Sequence, residues 1–464
     1  MVKVKNIFNL TFQIILICLS IIILRPAFNN NYNFSIHYIS IYGSIIALIL
    51  WILIINQSHS IFGNISLLYL SFVFFQFGIP ILYAFDKNYY SDYVQLFSSG
   101  TVIKGEIYTI FCIQLFCLGI FFSKILIRRD HRLIFSNTTW ANNDAMVVKA
   151  GTLLFFFSAV IYVPLITYAG FILHSRNYSL SIISKFASQY YFTSAFLILC
   201  YSKNRKLRVT IYSLFIFVCI AAMMTGGRTQ GLVPLMVLLV YVNDYEESKV
   251  MKIYGRKLIR NLFLGIGFCI ILFLIVYIAF VRTKGGSAQQ LGISGFIQAF
   301  LNELGFNFTS LLFVMSSIGL YGLKLGASYI GAFPALIPES FDFTGFVKYY
   351  FNNIAGSNWL QITYGNVFGF GLGFSLVAES YYDFGNYGIL IILVLGFLIG
   401  GLIAKEPSKC SNWEKYVEIV LLLGFITVFR RDFYQLLKQI EYSIFFVALY
   451  LYLFEKITKN NNVN

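Results

Sequence analysis

The sequence predicts an all-α, polytopic integral membrane protein, and three observations support this fold class. Of 464 residues, 58% are hydrophobic and 11% are charged, with a mean hydropathy of +0.76, so a soluble chain would expose a very large apolar surface. Apolar runs of about 17 to 24 residues recur along the chain, each long enough to cross a hydrocarbon core of roughly 30 Å as a helix. The charged residues concentrate in the segments between these runs.

Hydropathy along the chain predicts about twelve transmembrane helices. The first apolar run follows a basic N-terminus, as in a signal peptide, but no small-residue cleavage pattern comes after it, so we interpret it as the first helix. The predicted helices cover residues 7–24, 38–56, 62–85, 105–126, 148–169, 187–202, 209–225, 230–243, 262–281, 386–404, 415–429 and 436–454.

These helices divide the chain into three predicted parts. Residues 1–281 form a membrane bundle of helices 1–9, residues 282–385 form a large extracytoplasmic loop, and residues 386–464 contain helices 10–12 and a short cytoplasmic tail. The apolar stretches 303–322 and 367–385 within the loop are typical of interfacial or re-entrant helices. Two further crossings, giving about fourteen in all, are the alternative.

The distribution of basic residues predicts the orientation. Most of the 34 lysines and arginines lie in segments that are cytoplasmic when the N-terminus is inside, so the positive-inside rule places both termini in the cytoplasm. The formal net charge of +15 is spread over inter-helix loops, and not over one domain. Membrane lipids with anionic headgroups, and no nucleic acid, are therefore the expected partners of this charge.

Five arginines lie in the outer connections, where this rule would place few. They are Arg176, Arg228, Arg282, Arg430 and Arg431. Arginine suits phosphate because its planar group of donors matches two oxygens and stays charged, and glycines beside Arg228 and Arg282 allow the backbone to approach an anion. These arginines predict an anionic ligand at the outer leaflet. The alternative is that each one snorkels to the interface or pairs with a nearby carboxylate.

The long outer segment also contains carboxylates that could deprotonate a sugar hydroxyl, with Glu303, Glu379 and Asp383 as the candidate bases. If the segment around the last two is helical, they are four residues apart and share a face. Their neighbours Tyr381 and Tyr382 suit either stacking on a sugar or the headgroup belt. The alternative is that Glu379 and Asp383 only cap or solvate the start of helix ten.

Motifs that are missing from the sequence restrict the chemistry. No DxD or DD pair, HExxH motif or His/Cys cluster occurs on the predicted outer side, so neither a tightly held metal nor a cofactor is expected. The sequence also has no GxxxxGK[ST] and no GxSxG motif. These absences argue against an ATP-driven motor and an α/β-hydrolase.

Several short motifs, in this order, resemble the O-antigen polymerase (Wzy-type), or oligosaccharide repeat-unit polymerase, family. The motifs are TGGRTQGL (225–232), FVRTKGG (280–286), ELGFNF (303–308), YGLKLGASYIGAFPALIP (321–338), LVAESYYDFGNYGILI (376–391) and FRRDF (429–433).

The resemblance implies a GT-C-like glycosyltransferase, with no metal, in the cell inner (cytoplasmic) membrane. It would polymerise undecaprenyl-pyrophosphate-linked oligosaccharides at the outer face into O-antigen, capsular or related polysaccharide, with a chain-length regulator as an expected partner. Glu303 and Glu379 match acidic positions of the family pattern. The matching pyrophosphate-binding residues are Arg228, Arg282 and Arg430 or Arg431.

Three other functions compete with this interpretation. An O-antigen ligase would share the topology, but its outer loop typically carries an arginine and histidine pair, and residues 282–385 contain no histidine. A flippase or other polysaccharide transporter would need charges lining a mid-membrane cavity and repeated halves, and few ionisable residues lie within the predicted helices. A structural assembly partner would leave the outer arginines without a purpose.

Overall fold

A computed structural model describes residues 2–28, 35–58, 61, 63–87, 94–127, 138–173, 182–225, 228–245, 267, 293–337, 341–365, 373–403 and 410–461. All regular secondary structure in these residues is helical. The α-helices are α1 (Val2–Phe28), α2 (Ile36–Ser58), α3 (Asn64–Phe85), α4 (Ser99–Leu126), α5 (Asp144–Thr167), α6 (Ile182–Tyr201), α7 (Arg205–Met224), α8 (Arg228–Val240), α9 (Ile293–Gly305), α10 (Asn307–Tyr321), α11 (Ala327–Ala332), α12 (Phe346–Asn353), α13 (Gly356–Leu360), α14 (Leu376–Phe384), α15 (Gly388–Leu402), α16 (Asn412–Val428), α17 (Phe433–Ile440) and α18 (Phe446–Asn461).

The helices confirm the predicted all-helical membrane class. Within the described residues, 8 helical segments are long and apolar enough to cross a membrane, or 9 if α9 and α10, which meet at a bend of 43°, count as one crossing. Three more predicted helices are present as α6, α8 and α16. The predicted helix 262–281 lies outside the described residues except for Gly267. The total of twelve and the GT-C-like arrangement stay predictions.

The helix predicted to begin at residue 386 begins earlier, at Leu376. One apolar segment, Leu376–Leu402, contains α14, a single 3-10 turn and α15. The start is fixed by Ser375, whose hydroxyl accepts a hydrogen bond from the Ala378 backbone N–H at 3.1 Å. Hydropathy alone missed this start because Glu379 and Asp383 interrupt the apolar run. The predicted division of the chain at residues 281 and 385 stays a prediction.

Contacts divide the chain into two compact units, and the first contains the helices that concern the site. It consists of Met1–Arg129, Leu291–Ala404 and Phe425–Leu437. Its central contact is between α4 and α15, which pack closely because small residues face each other. A Cβ atom on Gly119 would lie 2.3 Å from the Leu393 carbonyl oxygen, and one on Gly396 would lie 2.3 Å from that of Phe116.

Helices α9 and α10 also belong to this unit, and they cover most of the stretch 303–322. For this stretch the sequence allowed either an interfacial or re-entrant helix or a further crossing. Gly305 and Gly78 bring α9 against α3, since a Cβ on Gly305 would lie 2.4 Å from the Ile79 nitrogen. Residues 307–314 of α10 are buried. The stretch is therefore packed inside the unit as a bent helix pair, a geometry that suits a broken crossing or a re-entrant segment.

The second unit consists of Asp130–Gln290, Lys405–Gly424 and Lys438–Asn464. Within it α5 packs along α6, and α7 packs along α8. Trp140 and Trp413 meet edge to face with centroids 4.8 Å apart. Glu418, a buried carboxylate of α16, accepts a hydrogen bond from the Tyr245 hydroxyl. Its position agrees with the rule that ionisable groups inside membrane helices face a polar partner.

Candidate active site

Residues 429–433, here called the arginine turn, connect α16 to α17 and contain two of the predicted arginines. The Phe429 carbonyl oxygen accepts hydrogen bonds from Gln76 Nε2 of α3 at 2.5 Å and from Asn307 Nδ2 of α10 at 3.1 Å. Both amide side chains are 2% exposed. A helix leaves its last carbonyls without intrahelical partners, and here buried amides from two other helices satisfy one just beyond the helix end. The backbone before Arg430 is thereby fixed.

Asp432 fixes the other end of the arginine turn. It is 3% exposed, and its carboxylate accepts a hydrogen bond from the Ser357 hydroxyl of α13. Burial raises the pKa of Asp432, although the hydrogen bond from Ser357 and the positive charge of Arg431 act in the opposite direction. The Arg430 guanidinium lies 5.4 Å from the centre of the Phe75 ring, within the range of a cation–π contact.

Glu379 and Asp383, here called the carboxylate pair, lie one turn apart on α14, as the sequence predicts. Both are fully buried. Ser328 of α11 joins them, because its Oγ lies 2.8 Å from Glu379 Oε1 and is also hydrogen bonded to Asp383 Oδ2. The second oxygen of Glu379 accepts the Phe433 backbone N–H at 2.6 Å. The carboxylate pair and the arginine turn are therefore directly connected.

The segment before α11 places Ser328 against the carboxylate pair. The backbone N–H of Leu325 donates to the Asp383 carbonyl at 2.9 Å. Gly326 follows with a φ of +85°, which glycine adopts without strain, and the chain then turns into α11. The Tyr350 hydroxyl holds the far side by donating to the Ser328 carbonyl at 3.0 Å. Ser328 is thus positioned from both sides.

The structure brings four predicted site residues together, namely Arg430, Arg431, Glu379 and Asp383. Glu303 lies in the same unit, near the end of α9, and its side chain is partly exposed. The remaining predicted arginines are not among the residues that meet here. Arg228 is the first residue of α8 in the second unit, with its side chain outside the described part, and Arg176 and Arg282 lie outside the described residues.

Sequence reasoning missed the polar residues that hold the site. Ser357 and Gln76 lie in none of the motifs, and Ser328 lies in YGLKLGASYIGAFPALIP with nothing that marks it as a partner of the carboxylates. The one available signal was the polarity of Gln76 within the apolar α3, where an amide needs a partner. Within the described ranges, no group of three or more His, Cys, Asp or Glu residues is arranged to hold a metal ion.

Comparison with known proteins bears on the whole chain. The family model described as O-antigen polysaccharide polymerase Wzy matches residues 8–462. The chain belongs to this family. No curated protein and no solved structure matches it. The Wzy match confirms the resemblance of the sequence motifs, and it does not favour a ligase or a flippase.

Membership in the Wzy family gives the protein its general activity. It is an integral membrane polymerase, with glycosyltransferase-type chemistry, that joins lipid-linked oligosaccharide repeat units into O-antigen. Such chemistry requires a group that stabilises negative charge on the leaving group and a group that accepts the proton of the attacking hydroxyl. The arginine turn and the nearby carboxylates are groups of these two kinds.

Proposed function

We propose that this Wzy polymerase acts on undecaprenyl-pyrophosphate-linked repeat units at the outer face of the cytoplasmic membrane, and that the arginine turn binds the donor pyrophosphate. The observation that carries the proposal is the set of hydrogen bonds that hold the turn. Four side chains hold it, and they come from α3, α10, α13 and α14: Gln76, Asn307, Ser357 and Glu379. Charge stabilisation is effective when the charged groups are held in place before the reaction.

In the proposed reaction the distal hydroxyl of one repeat unit attacks the anomeric carbon of the growing chain. A glycosidic C–O bond forms, the bond from that carbon to the pyrophosphate oxygen breaks, and undecaprenyl pyrophosphate leaves with the electron pair. The guanidinium groups of Arg430 and Arg431 offset the charge that develops on the leaving oxygen. Because these two cations supply the stabilisation, the proposed mechanism requires no metal and no cofactor.

The proton of the attacking hydroxyl goes to a carboxylate. Both oxygens of Glu379 already accept hydrogen bonds from the protein, and neither member of the carboxylate pair is exposed. Glu303, by contrast, is partly exposed in the same unit. We therefore assign the base to Glu303, with Glu379 and Asp383 positioning the arginine turn and α11.

Donor and acceptor each carry a lipid pyrophosphate, so the proposed reaction needs more than one anion site. Arg176, Arg228 and Arg282, the other arginines of the predicted outer connections, are proposed to bind the second pyrophosphate. Around Arg228 and Arg282, arginine and glycine occur together in the TGGRTQ and RTKGG segments. A chain-length regulator is the proposed protein partner, because the polymerase and the regulator would act on the same polymer.

A deletion host complemented with variants tests the function of the arginine turn. Arg430→Ala and Arg431→Ala should each reduce polymer synthesis by roughly 100-fold to 1000-fold, because each removes a preorganised positive charge. Arg430→Lys and Arg431→Lys should recover only part of it, since lysine lacks the planar pair of donors. Gel analysis of surface polysaccharide should show single repeat units in place of the long ladder.

The matched control is Arg205→Ala, which removes an exposed arginine at the start of α7 in the second unit. It should leave the ladder unchanged. Protein levels in the membrane are measured for every variant. A full ladder from the double variant Arg430→Ala with Arg431→Ala would show that the turn does not bind the pyrophosphate.

A further inference from the structure

Four aromatic residues beside the candidate active site form a cluster that the proposed chemistry does not use. This aromatic cluster consists of Tyr321, Trp359, Tyr364 and Tyr382. The Trp359 ring lies at its centre, with centroid distances of 5.6 Å to Tyr321, 6.2 Å to Tyr364 and 5.3 Å to Tyr382. Tyr321 and Tyr364 meet Trp359 edge-on, at interplanar angles of 75° and 85°.

Two polar atoms of the aromatic cluster are buried without a hydrogen-bond partner among the described residues. They are Trp359 Nε1 and the Tyr382 hydroxyl, and Tyr382 as a whole is 2% exposed. Buried polar atoms in proteins are almost always paired, so two on adjacent rings require an explanation. An indole N–H can only donate, whereas a phenol can donate or accept, and one polyhydroxylated ligand can satisfy both.

The aromatic cluster runs from the surface of the unit towards the carboxylate pair. Tyr321 is 52% exposed, Trp359 is partly buried and Tyr382 is buried. On α14, Tyr382 lies between Glu379 and Asp383. On α13, Trp359 lies two residues after Ser357, which binds Asp432 of the arginine turn. The same two helices therefore carry Trp359 and Tyr382 of the cluster and two of the groups that hold the turn, Ser357 and Glu379.

We propose that the aromatic cluster is a saccharide subsite, which binds a pyranose ring of the repeat unit next to the bond being formed. This inference rests on the proposed function. Sugars match the cluster because their C–H faces pack on aromatic rings while their hydroxyls donate and accept hydrogen bonds. Trp359 and Tyr321 provide the stacking surface, and Trp359 Nε1 and the Tyr382 hydroxyl bind two sugar hydroxyls. The Nζ of Lys324 lies 5.9 Å from the centre of the Tyr382 ring, so a cation also borders the aromatic cluster.

The test uses Trp359→Phe and Tyr382→Phe, which remove the unpartnered atoms and keep an aromatic ring at each position. The full chain in nanodiscs is titrated with the host's single repeat-unit oligosaccharide, released from its lipid, and binding is followed by saturation-transfer NMR. Each variant should bind this probe about fivefold to tenfold more weakly, since each loses one hydrogen bond to the sugar. The polysaccharide ladder in the complemented host should shorten.

Matched controls come from rings whose polar atoms already have partners. Trp51 Nε1 donates to Ser66 Oγ at 3.0 Å, and the Tyr69 hydroxyl donates to the Ala47 carbonyl at 3.0 Å. Trp51→Phe and Tyr69→Phe should lower the thermal midpoint and leave binding of the probe unchanged. Trp359→Phe should lower the midpoint less than Trp51→Phe does, and Tyr382→Phe less than Tyr69→Phe, because neither breaks a hydrogen bond among the described residues. Both should weaken binding of the probe.

Unchanged affinity of Trp359→Phe and Tyr382→Phe for the probe would overturn the subsite. So would a drop in thermal midpoint equal to that of the controls, since the two atoms would then serve the fold. The proposed function fails by a different result, namely polymer made without Arg430 and Arg431. The probe carries no pyrophosphate, so its binding reports on the aromatic cluster independently of the arginine turn.

Discussion

Ser328 shows how one residue determines the chemistry available to the carboxylate pair. Its hydroxyl has one hydrogen, yet Oγ is hydrogen bonded to Glu379 Oε1 and to Asp383 Oδ2. A single hydroxyl hydrogen cannot form a full hydrogen bond with both, so two ionised carboxylates would share one donor. Fully buried carboxylates held by a common donor suit positioning better than proton acceptance from a substrate.

The assignment of Glu303 as base is tested by comparing two substitutions of the same kind. Glu303→Gln should reduce turnover by roughly 100-fold to 10,000-fold, because an amide cannot accept the hydroxyl proton. Glu379→Gln should lower the thermal midpoint more than Glu303→Gln does, since it disturbs buried hydrogen bonds worth about 1–3 kcal/mol. Turnover and midpoint are measured on the same purified samples. Normal turnover of Glu303→Gln, with loss of turnover in a stable Glu379→Gln or Asp383→Asn, would transfer the role to the pair.

Among the elements, α14 was predictable and the segment before α11 was not. The four-residue spacing of Glu379 and Asp383 predicts that they share a helical face, and the structure confirms it. Their partner Ser328 is 51 and 55 residues away in sequence, and it reaches them through a turn at Gly326. Periodicity reports only local geometry, so a contact of this kind leaves no mark in the pattern of residues.

The contact between α4 and α15 yields a prediction in which two similar substitutions have opposite effects. Gly396→Ala should destabilise the protein by about 1–3 kcal/mol, because its Cβ would lie 2.3 Å from the Phe116 carbonyl oxygen. Gly319→Ala in α10 has no atom within 4 Å of the new Cβ, and should stabilise by about 0.5–1 kcal/mol through helix propensity. Thermal midpoints of the detergent-solubilised proteins measure both. Shifts of the same sign and size would contradict the close packing of these helices.

For the whole molecule, composition and hydropathy were sufficient to predict the class, and the order of short motifs was sufficient to predict the Wzy family. The number of crossings was harder to predict, for a physical reason. The bend of 43° after Gly305 divides one apolar stretch into two helices, each shorter than the membrane is thick, and hydropathy does not detect a bend. In the candidate site, charge drew attention to Arg430, Arg431, Glu379 and Asp383 but not to the neutral residues that hold them.

The predicted orientation places the candidate active site and the cytoplasmic loops on opposite sides of the membrane, and two exposed positions test it. The Phe343 side chain of the predicted outer segment is 93% exposed, and the Lys203 side chain of the basic KNRKLR loop is 91% exposed. In intact cells a membrane-impermeant maleimide should label Phe343→Cys above the wild-type background. Lys203→Cys should be labelled only after permeabilisation, because that loop follows the positive-inside rule. Labelling of Lys203→Cys in intact cells, with Phe343→Cys protected, would show that the topology is the inverse of the predicted one. The arginine turn would then face the cytoplasm, and the proposal of polymerisation at the outer face would be wrong.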